Sequence, residues 1–314
     1  MLGMDYFDLL DKIARTVRKK NVPFGGLQVV VCGDFLQLPP VNAKYVFHSK
    51  AYQSMFSDPT SKVVFSNIKR QSCPKLIQIL KEARTGHLTE TSIRLLRQCV
   101  DKEAPSTLPI TPMILFARRV DVRAYNMTEL DKLDGQVHTF AYSWQPSPSV
   151  SEKENDIILS TLQRNIQAPM QLHLKVNAQV MLVRNMPDRM PPKVNGSMGI
   201  VVKFCSKTHA PVVKFSDGSL MLVPRCEWKG PKGKGTYIQY PLILGWALTM
   251  HKAQGATVDY ARMDLGNRVS QPNQAYTALS RVRTYDGLFL DDFDPNAFQA
   301  HAEALSYHIS IKEC

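Results

Sequence analysis

Four short phrases in this chain set polar side chains where backbone geometry would expose them. Gly33-Asp34, with Gln37 three residues on, closes the apolar run at residues 27–32 and precedes the stiff Pro39-Pro40. Such a run reads as a buried strand, and in open parallel sheets ligands gather at the carboxyl ends of the strands. An ordinary exit from strand to loop is the other reading. His251-Lys252-Ala253-Gln254-Gly255 follows the strand-like residues 241–250. A strand, a polar turn with glycine and then renewed structure can present backbone amides to phosphates, or can be a plain strand-to-helix turn. Residues 274–283, QAYTALSRVR, read as a helix opened by Pro272 with Ala275, Leu279 and Val282 inward. Arg281 and Arg283 then project from its C-terminal end, to meet an anion or to complement the helix dipole. Lys69-Arg70-Gln71 adds another arginine after the strand-like residues 62–65. No paired carboxylates, Cys-His or Ser-His-Asp arrangement stands out, and phosphate binding at the turn 251–255 is the chemistry these residue types leave open.

Composition agrees. Lys and Arg number 39 against 27 Asp and Glu, a formal charge of +12 that points to a polyanionic partner, nucleic acid before an acidic membrane surface. Hydrophobic content of 44% with 21% charged residues is that of a globular protein, and 314 residues are enough for two domains. No run of 18 apolar residues exists, so no membrane role is expected. Six scattered cysteines without a Cys-x-x-Cys pair argue against a zinc module or a disulfide framework, and no metal site is expected.

These phrases need elements to hold them. Phe7, Leu10, Ile13, Ala14 and Val17 recur at helical spacing, so a helix with these residues inward opens the chain. Helices are expected over 74–84, stopped by Gly86, and over 89–100. A buried strand at 112–117 precedes a helix with Val120, Ala124, Met127 and Leu130 inward, and 145–156 reads as an exposed loop. Alternation of strand and helix signals implies an α/β layer fold. After residue 193 the runs 199–204, 212–215 and 220–223 are short and β-rich, and Asp217-Gly218 between the last two predicts a hairpin. The expected division is 1–62, 63–192, a small β insertion at 193–238 closed by the basic GPKGKG, and 239–314.

GDFLQLPPV closely resembles the third motif of the Pif-family (petite-integration-frequency) DNA helicases of superfamily one, 5′→3′ subgroup. Matches recur in the family's order at residues 69–71, 174–181, 194–201, 241–257 and 274–283. The resemblance implies RecA-like lobes, a partial first and a complete second, with an SH3-like β insertion. It implies that Gln37 senses the γ-phosphate of ATP, that Arg70 and Arg281 act on the same phosphate as catalytic arginines, and that Gly33, Asp34, Gln254 and Gly255 face the nucleotide. His251 and Lys252 would meet the DNA backbone, with Lys175, Arg184, Lys193 and Lys203 as further candidates along the DNA path. Trp246 would stack on a base or, as a lone Trp in an apolar run more often does, sit in the core. Lys69 stands where the family usually has an aromatic residue.

By the same resemblance the partners are ATP, Mg2+, single-stranded DNA and DNA junctions or forks. The protein would act as a monomer in genome maintenance such as telomere upkeep, repair and recombination. Its address would be intracellular: nucleus, mitochondrion or viral replication site. The 314 residues contain no G-x-x-x-x-G-K-[ST] phosphate loop and no acidic pair of the second motif. In the family an Asp-Glu-x-Ser phrase directly precedes wording like MLGMDYFDLLDKIAR, so the expectation is a chain that starts inside the first lobe and is ATPase-deficient alone. A non-enzymatic single-stranded-DNA-binding remnant is the alternative.

Overall fold

The computed structural model describes residues 2–116, 119–188, 190–266, 269 and 271–311. Its helices are α1 (Met4–Arg18), α2 (Lys50–Met55), α3 (Pro74–Thr85), α4 (Glu90–Arg97), α5 (Arg119–Asp131), α6 (Glu152–Asn165), α7 (Met250–Ala253), α8 (Gln274–Leu279) and α9 (Ala302–Ser310). Its strands are β1 (Met113–Phe116), β2 (His138–Ala141), β3 (Ser143–Gln145), β4 (Gln171–Leu174), β5 (Gln179–Leu182), β6 (Met198–Phe204) and β7 (Pro211–Phe215). Then follow β8 (Leu220–Leu222), β9 (Cys226–Lys229), β10 (Thr236–Gln239), β11 (Leu242–Leu244), β12 (Ala247–Thr249), β13 (Ala261–Leu265) and β14 (Leu288–Phe293). The α/β class read from the sequence is what the fold has.

Two units divide the chain: Met1–Asp101 with Asp264–Asp286 and Leu290–Cys314, and Lys102–Met263 with Gly287–Phe289. In the first, an aromatic-rich core gathers Phe7, Phe24, Tyr45, Phe47 and Tyr52. Helix α1 buries Phe7 and, unexpectedly, Asp11, whose carboxylate accepts from Phe24 N at 2.5 Å and from Arg15 Nε at 2.7 Å. Ile13 and Val17, expected inward, are exposed. Pro74 opens α3, and Gly86, at φ +78°, closes it in the left-handed conformation that glycine adopts without strain. Helix α4 is capped by Thr89, whose hydroxyl accepts from Ser92 N, and stops three residues short of the expected end. The reason is Val100, which leaves the helix to bridge Leu290 in parallel.

The expected strands at 27–32 and 62–65 do not form. Both segments lie outside the described sheets, with Val30, Val63 and Phe65 each at least 75% exposed. β-type residues make a strand only where a neighbouring strand takes up the backbone hydrogen bonds, and none among the described residues does so here.

The second unit is built on β12–β1–β13–β14, in which β1 lies parallel to both β12 and β13. Strands β13 and β14 run on into the first unit. Helix α5 packs on β12, and Asn126 ties the two together: its Nδ2 donates to Ala247 O, and its Oδ1 accepts from Ala247 N, both at 2.9 Å. Leu130 and Asn126 are buried on this helix, whereas Val120 and Ala124 face solvent, so the inward face is rotated from the expected one. Residues 152–156, read as loop, begin α6 behind the Ser151 cap.

A five-stranded antiparallel sheet, β11–β5–β6–β7–β8, holds the predicted hairpin, with Gly218 at φ +83° between β7 and β8. It draws β5 and β11 from outside 193–238. The run 241–250 is not one strand: β11 joins this sheet, β12 joins the parallel one, and Gly245 lies between. A Cβ at Gly245 would come within 2.9 Å of the Val180 backbone, so the crossing requires glycine.

Candidate anion-binding site

Ser280, the residue after α8, holds two arginines. Arg70 Nη1 donates to its carbonyl at 3.1 Å. Arg281 folds back over the helix end, with Nε donating to Thr277 O at 3.0 Å and Nη2 to Ser280 Oγ at 2.6 Å. Gln71 Nε2 fixes the same turn from the other side, donating to Ser280 O and Val282 O at 3.1 and 2.9 Å. Ala275, Leu279 and Val282 are buried as expected. Arg281 does not project; it is 1% exposed.

Asp34 organises the other wall. One carboxylate oxygen accepts from Arg84 Nη2 at 2.8 Å and Leu36 N at 3.1 Å, and the other accepts from the Tyr276 hydroxyl at 3.2 Å. Gln37 closes a turn on Asp34, its N–H donating to Asp34 O at 3.1 Å and its carbonyl accepting from Asn273 Nδ2 at 3.1 Å. The segment bearing Gly33, Asp34 and Gln37 is thereby pinned to the N-terminal end of α8 and the C-terminal end of α3. A cavity of about 420 Å3 opens beside Asp34, Arg84 and Tyr276.

The electrostatics of the cluster are unbalanced. Burial, and then the neighbouring charge of Arg70, push Arg281 down to about 10. Arg70 is lowered too, by burial. Burial also works against the charge on Arg84, but Asp34 outweighs it and holds that arginine above its ordinary range. Tyr276 is raised by burial and then by Asp34, so it stays a neutral donor. Arg84 and Tyr276 share the Asp34 carboxylate, while Arg70 and Arg281 converge on Ser280. Two buried polar atoms, Arg84 Nε and Thr277 Oγ1, have no hydrogen-bond partner among the described residues. Clustered guanidinium groups with an unused Arg84 Nε donor suit an oxyanion, as planar guanidinium groups bind phosphate oxygens in pairs.

The remaining predicted residues lie in the second unit. Thr249 caps the short α7, its hydroxyl accepting from Lys252 N at 3.2 Å, and leaves His251 and Lys252 exposed on the first turn. Gln254 and Gly255 follow in the turn, Gly255 at φ +87° with open space around it. Lys175 is no surface cation: it is buried, with Nζ donating to Leu133 O at 2.6 Å. Trp246 belongs to the hydrophobic core, which removes it as a stacking platform. Lys193 is buried and paired with Asp217. Arg184 donates to Glu227 O at 2.6 Å and lies over Trp228, while Lys203 is exposed. Sequence reading missed Arg84, Tyr276 and Gln71. Tyr276 and Gln71 stand inside quoted phrases, but Arg84 looks like any cation in a last helical turn.

The PIF1-like helicase profile matches residues 1–87, and the 2B domain of the DNA helicase Pif1 matches residues 158–204. The ATP-dependent DNA helicase PIF1 of Danio rerio is 32% identical over 326 residues, covering all of this chain and 48% of the relative. Its Homo sapiens counterpart is 33% identical, covering 99% and 48%. The chain belongs to the Pif1-like helicase family. It spans about half the length of the curated relatives it matches. Among solved structures, Candida albicans Pif1 superposes with a TM-score of 0.77 at 29% identity, covering 99% of this chain and 75% of that one. Bacteroides Pif1 in complex with ADP-AlF4 gives 0.76 at 25% identity, covering 100% and 73%. A Bacteroides Pif1 bound to single-stranded DNA gives 0.62 at 26%, covering 100% and 74%. The RecA-like helicase fold expected for the chain is thus the fold of its structural neighbours.

Proposed function

We propose that this protein works as an ATP-driven helicase moving 5′→3′ on single-stranded DNA, and that the Ser280 cluster receives the terminal phosphate of the nucleotide. The observation that carries the reading is the pair of arginines on Ser280, beside a carboxylate already committed to Arg84 and Tyr276. In this reading Arg70 and Arg281 stabilise charge on the transferring phosphoryl group, and Gln37 reports its presence to the strand. Gly33, Asp34, Gln254 and Gly255 border the nucleotide. His251 and Lys252 contact DNA phosphates. ATP supplies the free energy for closing and opening the lobes. The cluster fits a phosphate oxyanion better than Mg2+, because its carboxylate, Asp34, is already bonded to Arg84 and Tyr276.

Residues 1–62 would belong to the first lobe, 63–192 and 239–314 to the second, and 193–238 to the insertion. The protein would act as a monomer on single strands, junctions and forks, in telomere upkeep, repair or recombination. Nucleus, mitochondrion and viral replication site remain its proposed addresses. With no phosphate loop in the 314 residues, this chain alone would hydrolyse ATP at background rate. That favours a second reading in which these residues act only as a single-stranded-DNA-binding module.

Fluorescence anisotropy with a labelled single-stranded oligonucleotide, run across salt and with or without ATP, tests both. Binding that weakens steeply with salt is expected. Joining the chain to a segment bearing a Gly-Lys-Ser/Thr loop should bring DNA-stimulated phosphate release, and Arg281→Ala should then lower it by about three to five powers of ten. Release indifferent to Arg281→Ala would sink the phosphate role. DNA binding indifferent to ATP in the joined protein would leave the binding-module reading standing.

A further inference from the structure

The second unit contains a cavity that the phosphate chemistry above does not use. It measures about 700 Å3 and lies among α5, the β2–β4 ribbon, the loop at 166–170 and the β11–β12 passage. Its walls are largely apolar, with Met127, Met170, Leu172 and Leu244 contributing. No carboxylate lines it, whereas Arg123, His173 and Lys252 do. Arg123 and Lys252 are both solvent-exposed, so their charged groups can stay in water at the edge of the site.

Two amides in this cavity differ in their commitments. Asn126 has both ends bonded to Ala247. Gln167 lines the cavity, and its Oε1 is buried with no hydrogen-bond partner among the described residues. A buried amide oxygen left without a donor is costly, on the order of 1–3 kcal/mol, and marks a place where a donor is missing. Tyr142 is held against Tyr237, rings stacked at 4.9 Å, which gives this wall a rigid aromatic backing.

An apolar slot, one unsatisfied acceptor and a cationic edge without acids describe a receptor for a flat ring that carries an N–H and is tethered to an anion. We propose that this cavity takes one unstacked base of single-stranded DNA. The phosphate lies at Arg123 and Lys252, and Gln167 Oε1 accepts from the base edge. Every base offers at least one N–H donor, so the pocket would tolerate sequence. This rests on the single-strand-binding reading above and adds to it a contact to the base itself, distinct from phosphate attraction.

The test uses a short oligonucleotide carrying one 2-aminopurine, and its twin with an abasic residue there. The 314-residue chain should change the 2-aminopurine emission, and should bind the abasic twin about tenfold more weakly. Ala141→Leu, which fills the cavity from an exposed strand position, should abolish the emission change and bring the two affinities together, with the salt slope kept. Gln167→Leu removes the acceptor without filling the space, and should narrow the same ratio; it serves as the deciding variant if Ala141→Leu fails to fold. Equal binding of intact and abasic strands by the native chain, or variants that keep the native ratio, would overturn the pocket while leaving DNA binding intact. No binding of any strand at low salt would remove both readings.

Discussion

Arg281 is charged at neutral pH, yet it is buried and has no carboxylate of its own among the described residues. Burial brings its pKa down to about 10, well below the ordinary arginine range. A base lowered in this way costs stability at pH 7, and stability rises as pH climbs through 10, where the native state releases the proton before the unfolded chain does. Arg281→Met should therefore raise the unfolding free energy measured in urea at pH 7 by about 1–2 kcal/mol, with the advantage shrinking above pH 10. A less stable variant at pH 7 would mean that the bonds to Thr277 and Ser280 outweigh the burial penalty. The phrase QAYTALSRVR gave away the residue but not its direction. Helix α8 ends at Leu279, and the next turn tightens, with Arg281 N donating to Ala278 O and Val282 N to Leu279 O. That tightening turns inward a side chain that 3.6-residue spacing would leave outside. Arg84 was illegible for a plainer reason: its partner Asp34 is fifty residues away in sequence.

Among the elements, the β7–β8 hairpin was the most legible, because Asp-Gly between two β-rich runs states turn and register together. What pattern could not reveal is that Asp217 also holds the buried Lys193. The hydrogen bonds from Lys193 and Ser219 depress the Asp217 carboxyl to about 2. A carboxylate lowered below its ordinary 3.8 contributes stability above that value, and loses it as pH falls through 2. Asp217 is half-exposed, so solvent screens part of the pair; Asp217→Asn should cost about 1 kcal/mol in urea at pH 7 by leaving the lysine without its anion, and should flatten the acid limb between pH 4 and 2. An unchanged acid limb would show that solvent already screens the pair. The runs at 27–32 and 62–65 failed as strands for the opposite reason. Composition supplied the β preference, but a strand is a relation between segments, and neither segment has a partner in the sheets described.

Those two runs shape how the molecule as a whole should behave. Val30, Val63 and Phe65 stand exposed in the first unit, as do Tyr6, Leu9, Ile13 and Val17 along α1. Apolar surface of this extent, with backbone groups open to pairing, favours self-association. Light scattering at rising concentration should show assembly of these 314 residues alone, unlike the monomer proposed for the whole protein, reduced by Val30→Lys with Phe65→Lys; a chain that stays monodisperse regardless would remove the argument. The opposite end of the problem is solved by Asn126. Among the described residues β12 is the outermost strand of its sheet, and both backbone polar groups of Ala247 are taken by one side chain from α5. The amide imitates the rung that a neighbouring strand would offer. A foreign strand approaching there must first evict it, losing two hydrogen bonds to gain two. The fold therefore carries its own end-stop against templated growth, written in a single asparagine.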